Sequence, residues 1–347
     1  MMSPAPDELE NFVSRRLTLM LAAAASILTL GLSGCTAADN ATEPAADAAA
    51  SGSFPVTIEH AFGETTIDQQ PTRVVAWGWG SADDAIALGV IPVAIPFQNY
   101  GGDKNGVLPW IAEALDGEEM PVVLPDSEEP PYEDIAAAAP DVILAAYSGI
   151  TEQEYDLLSE IAPVVAYPGD AWATPWRDLI DITGTALGKS DEADALLASI
   201  DAEIAGQAAA HPEFAGKTIA LTSDSAGTFY VYKKEDPRVA FTLDLGFVSA
   251  PAVDELATDE ASFYYTLSYE QLDQLDSDLL VNFGSTQKES DAFLGASYAQ
   301  AMPQVQAGSV ASPVGAAFIS SVSPPTGLSL SWGLDDYVTL LAAAVNK

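Results

Sequence analysis

One stretch limits the folds open to this chain more than any other. Residues Ser190 to Ala209 read SDEADALLASIDAEIAGQAA, with apolar residues at Ala193, Leu196, Leu197, Ile200 and Ile204. That is the one-face spacing of a 3.6-residue period. Ser190 is suited to cap the helix, Asp191 and Glu192 favour the positive end of its dipole, and Pro212 stops it. A helix of this length spans roughly 30 Å at 1.5 Å per residue, enough to brace two small domains. Strand and helix signals flank it on both sides. The pattern predicts an α/β protein of two lobes joined by a single long helix, a layout suited to holding a ligand in a cleft between them.

The chain before this helix begins with a processing signal. Arg15 and Arg16 precede an apolar run from Leu17 to Leu32, which ends Leu32-Ser33-Gly34-Cys35. A basic start, a short apolar run and small residues at the cut describe a secretory signal, too short for a convincing membrane span. The last four residues resemble a bacterial lipobox, which implies lipidation of Cys35 and a mature chain that begins there, anchored on the extracytoplasmic face of the cell membrane. Ser14-Arg15-Arg16 hints at twin-arginine export, although Thr18 departs from that pattern. Residues 36–53 are rich in Ala, Asp, Glu, Thr and Ser without periodicity, and read as a disordered tether reaching roughly 20–25 Å.

Folded structure is predicted from Phe54. Val56–Ile58 and Thr65–Ile67 flank Gly63 as a hairpin, with His60 in a structural role. Arg73–Trp77, Pro92–Ile95, Asp141–Ala146 and Val164–Ala166 read as strands, and Ser81–Leu88, Tyr132–Ala139 and Pro175–Leu187 as helices. Such alternation implies a parallel sheet with helical crossovers. Beyond the long helix the pattern restarts, with strands at Lys217–Thr222, Thr228–Tyr232 and Asp278–Phe283 and helices at Pro237–Leu245, Tyr269–Leu275 and Leu334–Val345. The predicted organisation is a signal over 1–35, a tether over 36–53, an N-terminal lobe over 54–172, connecting helices over 173–212 and a C-terminal lobe over 213–347. The halves share a detail that suggests duplication: Tyr132-Glu133 leads to Pro140-Asp141 before a strand, and Tyr269-Glu270 leads to Ser277-Asp278 at the same spacing.

Composition excludes several functions. A net charge of −39, from 51 acidic and 12 basic residues, argues against nucleic acid, whose phosphates need Lys and Arg. One cysteine and two histidines leave neither a disulfide, a thiolate zinc cluster nor a histidine-rich metal site. A carboxylate-only site stays open, but no loop has calcium-binding spacing. No G-x-S-x-G, H-E-x-x-H or C-x-x-C is present. Gly184-Thr185-Ala186-Leu187-Gly188-Lys189-Ser190 is one residue short of a phosphate loop, and it follows a helix; it reads as one helix ending and another beginning. Neither catalysis nor a cofactor is indicated.

Aromatic residues near predicted strand ends point to binding instead. Trp77 and Trp79 follow the first strand of the sheet, Phe97 and Tyr100 the second, and Tyr147 the third, while Trp172 precedes the connecting helices. Tyr230, Tyr232 and Phe283 are placed similarly in the second half. Open α/β sheets bind ligands outside the carboxyl ends of their strands, so this set predicts a cleft for a bulky organic ligand. Lys104, Arg177, Lys233 and Arg238 are the bases available to it.

From Phe54 onward the chain resembles the ferric-siderophore binding lipoproteins of ABC importers. The resemblance rests on Thr57-Ile58-Glu59-His60-Ala61-Phe62-Gly63, Pro71-Thr72-Arg73-Val74-Val75, Leu88-Gly89-Val90 with Pro92-Val93-Ala94, Tyr132 through Leu144, Ala186-Leu187-Gly188-Lys189, and Arg238 through Phe247. It implies two Rossmann-like lobes on one long helix, capture of a ferric chelate, and delivery to permease subunits by a monomer. It also implies that Glu133 and Glu270 engage arginines of the permease. A tris-catecholate iron complex carries about three negative charges, each costly to bury unpaired, and the chain has few bases to offer. A neutral or cationic hydroxamate fits better, through stacking and cation–π contact. Haem, cobalamin or a bare metal ion on the same fold remain alternatives, and a lipid-anchored hydrolase is the rival of another class.

Overall fold

The structure is a computed structural model that describes residue 52 and residues 54–258 and 263–347. The signal ending at Cys35 and all of the tether except residue 52 lie outside the described residues. Among the described residues no helix is long and apolar enough to cross a membrane.

The N-terminal lobe opens with an antiparallel hairpin, β1 (Val56–His60) and β2 (Gly63–Ile67). Alternation along it buries Ile58, His60, Thr65 and Ile67. His60 Nε2 lies 2.9 Å from Thr65 Oγ1, and burial lowers its pKa, so the ring is a neutral core group. The chain then runs β3 (Val74–Ala76), α1 (Ser81–Ala87), β4 (Ala94–Ile95), α2 (Pro109–Ala114), β5 (Val122–Val123), α3 (Tyr132–Ala137), β6 (Val142–Ala145), α4 (Glu152–Ser159) and β7 (Val164–Ala166). The five strands from β3 to β7 pair in parallel in the order β5-β4-β3-β6-β7. Strands β3, β6 and β7 are apolar throughout and fully buried, as a parallel sheet covered on both faces requires. The order reverses between β3 and β6, which opens a crevice at their carboxyl ends.

Two helices make the connection, α5 (Trp176–Leu187) and α6 (Ser190–Ala210). Gly188 ends α5 in the left-handed conformation at φ 66°, and Gly184 lets α6 approach, since a Cβ there would sit 2.6 Å from that of Ala193. Lys189, not Ser190, occupies the capping position of α6, and its Nζ pairs with Glu192 at 2.8 Å. Ala193, Ile200 and Ile204 are buried, with Leu196 and Leu197 packed beside them. They share one apolar cluster with Trp176 and Ile180 of α5 and with Phe214, Leu279 and Tyr337 of the second lobe. The brace is therefore part of a core continuous with both lobes.

The C-terminal lobe contains β8 (Thr218–Ser225), β9 (Thr228–Tyr232), α7 (Pro237–Asp244), β10 (Val248–Ser249), α8 (Pro251–Glu255), β11 (Tyr264–Leu267), β12 (Leu279–Phe283), α9 (Gln287–Gly295), α10 (Pro303–Ala307), β13 (Val310–Ala311), α11 (Ala316–Val322) and α12 (Ser329–Val345). Its main sheet has the order β11-β9-β8-β12-β13 and is mixed: β12 and β10 run parallel to β8, but β9 and β11 are antiparallel to their neighbours. This departs from the restarted alternation expected of the sequence. Ala226 and Gly227, both at positive φ, close a two-residue turn that folds β9 straight back onto β8 and leaves no room for a crossover helix. The predicted helix at Tyr269–Leu275 is present as a 3-10 helix over Tyr269–Gln274. Tyr269, Leu272 and Leu275 all pack into the same cluster, and residues three apart share a face in that geometry.

Polar groups add to this joint. Arg177 lies 4.1 Å over the Trp176 ring and pairs with Asp201 of α6 at 2.6 Å and Asp244 of α7 at 2.9 Å. On α1, Asp83 Oδ1 accepts from Thr326 Oγ1 at 2.8 Å and from Trp110 Nε1, while Asp84 Oδ1 accepts from Gly327 N at 2.7 Å. Burial raises the Asp83 pKa to about 6 and pushes that of Asp84 well above the usual carboxylate range.

Candidate ligand-binding cleft

Each sheet ends in a cavity at the carboxyl ends of its central strands. In the N-terminal lobe, Trp77 N donates to Leu144 O at 2.8 Å and Trp79 N to Tyr147 O at 2.9 Å, so the tail of β3 stays laced to that of β6. Gly78 between them sits at φ 88°, and a Cβ would fall 2.5 Å from Tyr147 O. Trp77, Trp79, Phe97 and Trp172 border a pocket of about 220 Å³, with Glu128 and Glu154 also on its wall.

The C-terminal cavity is larger, about 560 Å³. Period-two alternation along β9 sends Phe229 and Val231 into the core and leaves Tyr230 and Tyr232 on the cavity wall. Phe283 and Ser285 come from the end of β12, and Asp224 from the end of β8. Tyr100 reaches in from the first lobe, its hydroxyl 3.2 Å from Ser285 Oγ.

Among the described residues Arg238 is the one base on this wall. Its guanidinium lies 3.9 Å over the Tyr232 ring, and Nε donates to Asp236 Oδ1 at 2.7 Å. Asp236 is almost wholly buried and also caps α7. Desolvation works against the charge of Arg238, but Asp236 together with Tyr232 and Tyr147 more than offsets it and the pKa lies above its ordinary value. The base is thus a fixed, always-charged donor. Tyr147 is buried from the N-terminal side of the cleft; its hydroxyl feels Asp236 and Arg238, and its ring meets Trp172 edge-on at 5.8 Å.

Asp224 is held from behind by two phenols. Tyr269 donates to one oxygen at 2.6 Å and Tyr298 to the other at 2.8 Å. Burial and the carboxylate raise both phenol pKa values, that of Tyr298 to about 12. The carboxylate's charge therefore faces the cavity on a rigid mount.

The structure brings together most of the residues predicted from sequence. Trp77, Trp79 and Trp172 line the first pocket, and Tyr100, Tyr230, Tyr232, Arg238 and Phe283 line the second. Tyr147 underlies the cleft instead of lining either pocket. Lys104 is exposed on the loop after β4 and lines neither, and Arg177 is spent on the joint between the lobes. Glu133 and Glu270 are both exposed, in the first turns of α3 and of the 3-10 segment. Asp224, Glu289, Ser285, Glu128 and Glu154 were not anticipated. Their signal was available, because Asp224 and Ser285 follow strand ends just as the aromatics do.

The sequence matches the periplasmic binding protein family over residues 74–312. The chain belongs to that family. The family is one of substrate-binding proteins. Among proteins it resembles is the probable siderophore-binding lipoprotein YfiY of Bacillus subtilis, 26% identical over 256 residues, 73% of this chain and 74% of that one. Among solved structures, the iron-uptake ABC transporter substrate-binding protein PiaA of Streptococcus pneumoniae is 33% identical with a TM-score of 0.74, over 84% of this chain and 99% of PiaA. PiaA in complex with ferrichrome is 35% identical with a TM-score of 0.77, over 84% and 98%.

Proposed function

We propose that this protein is a lipid-anchored, extracytoplasmic binding protein that captures a ferric siderophore between its lobes and passes it, unaltered, to an ABC permease. Iron arrives as part of the cargo, and no cofactor is invoked. Cys35 carries the anchor, and Glu133 and Glu270, one exposed on each lobe, meet arginines of the permease. YfiY and the PiaA–ferrichrome complex support the ligand class.

The observation that carries the choice of chelate is the charge balance of the cleft. Arg238 is matched by Asp236 beneath it, and Asp224 and Glu289 share the same cavity wall. A complex bearing about three negative charges would face uncompensated carboxylates, whereas burying each unpaired charge costs several kcal/mol. A neutral or cationic ferric hydroxamate meets one firm donor for its oxygens and flat rings for its carbon frame.

Tryptophan quenching of the folded chain against ferric hydroxamates, ferric catecholates, haem and cobalamin tests this reading. Saturable quenching by hydroxamates alone is the expected result. Preference for a catecholate, haem or cobalamin would replace it.

A further inference from the structure

The N-terminal pocket differs in chemistry from the cavity of Arg238. Trp77, Trp79, Phe97 and Trp172 surround it, and among the described residues neither Lys, Arg nor His lines it. Among the described residues no ring pairing joins any two of these four; Trp172 meets only Tyr147. Their rings border open space instead of stacking on one another. Trp172 holds a left-handed backbone at φ 60°, and its indole lies so close over Gly149 that a Cβ there would stand 2.2 Å from Nε1. A ring carries negative density on its face, and tryptophan attracts a cation more strongly than the other aromatics do.

Two carboxylates share this wall. Glu154 Oε2 accepts from Thr151 N at 2.7 Å and from Thr151 Oγ1 at 2.8 Å, which pins the group while Oε1 makes neither bond. Glu128 comes from the loop before α3. Field from Glu154 also contributes, after burial, to the raised pKa values of Tyr132 and Tyr167 nearby. Rings bordering a cavity of about 220 Å³, with negative charge and no base, make a receptor for a small organic cation.

We infer that this pocket is a subsite for an alkylammonium group carried by the ferric ligand. The inference rests on the siderophore reading of the cleft and deepens it: the cavity of Arg238 takes the iron-bearing core, and the aromatic pocket takes a positively charged arm. The site thereby selects among hydroxamates by the charge of the arm.

The test compares a ferric tris-hydroxamate bearing a free primary amine with its N-acetylated form, by calorimetry on the folded chain. The amine form should bind about tenfold more tightly, the size of a desolvated cation–π contact. In Glu128→Gln/Glu154→Gln that preference should shrink to the few-fold that the rings alone supply. Glutamine at position 154 still completes the capping box of α4, so folding is kept while charge is removed. Trp172→Leu should shrink the preference in the same direction. Equal affinity for both forms in the unaltered protein, with binding itself tight, overturns the subsite and leaves the siderophore reading standing. A full tenfold preference in the double substitution also overturns it, since the charge would then be read elsewhere. Binding of neither form overturns both.

Discussion

The two lobes share a frame and differ at the carboxyl ends of their sheets. In the first, Asp141 Oδ2 accepts from Thr72 N at 2.7 Å and Thr72 Oγ1 at 2.8 Å. In the second, Asp278 Oδ2 accepts from Thr218 N at 2.9 Å and Thr218 Oγ1 at 3.0 Å. Each carboxylate stands just before a central strand and ties it to its neighbour, and each follows a short helical segment that opens Tyr-Glu. At the opposite end the likeness stops. One sheet is parallel and finishes in indoles and glutamates; the other is mixed and finishes in phenols, one arginine and Asp224. Amino ends of the strands carry the architecture, and carboxyl ends carry the chemistry.

The largest effect should come from the shared frame. Glu133→Arg together with Glu270→Arg should abolish iron uptake in cells while affinity for the chelate, measured on the purified protein, stays unchanged. Lost affinity would remove the docking role, and comparison of the two single substitutions reports whether the lobes dock equally.

Next comes the difference at the carboxyl ends. Arg238→Lys keeps a charge opposite Asp236 but loses the planar fork stacked on Tyr232. A charge-assisted hydrogen bond contributes about 1.5–3 kcal/mol, so affinity for a ferric hydroxamate should fall roughly tenfold to a hundredfold by calorimetry. An unchanged affinity would move the iron-bearing core out of the C-terminal cavity.

The smallest effect belongs to the joint between the lobes. Asp83 has a folded-state pKa of about 6, raised by burial above its ordinary 3.8. Across that interval the folded protein binds the proton more tightly than the unfolded chain, so this group's contribution falls as pH rises from about 4 to 6 and is fully unfavourable above it. Asp83→Asn retains an oxygen to accept from Thr326 and Trp110 without the charge. Its melting temperature should exceed that of the parent by a few degrees at pH 7, and the gap should narrow near pH 4.5. A gap independent of pH would assign the effect to packing.

Much of this was legible in the sequence because it is periodic. The stripe from Ala193 to Ile204 placed the brace, and the continuous apolar runs Val142–Ala145 and Leu279–Val281 placed buried strands. The strand-end rule placed the tryptophans and tyrosines of the cleft. What escaped depends on contacts distant in sequence. Arg177 is withdrawn from the site by Asp201 and Asp244, 24 and 67 residues away. The fold-back of β9 depends on two turn residues, Ala226 and Gly227, of which alanine gives no turn signal. Asp224 acquires its place only through Tyr269 and Tyr298, and the search for aromatics at strand ends passed over the acid beside them.

The central claim is that both pockets grip one chelate. Calorimetric titration of the folded chain with a ferric hydroxamate measures this directly, with Trp172→Leu and Arg238→Lys run alongside. One site per chain, weakened by either substitution and returning its iron complex intact, is the predicted result. Two independent sites, a site indifferent to one of the substitutions, or a chelate consumed during the titration would contradict it.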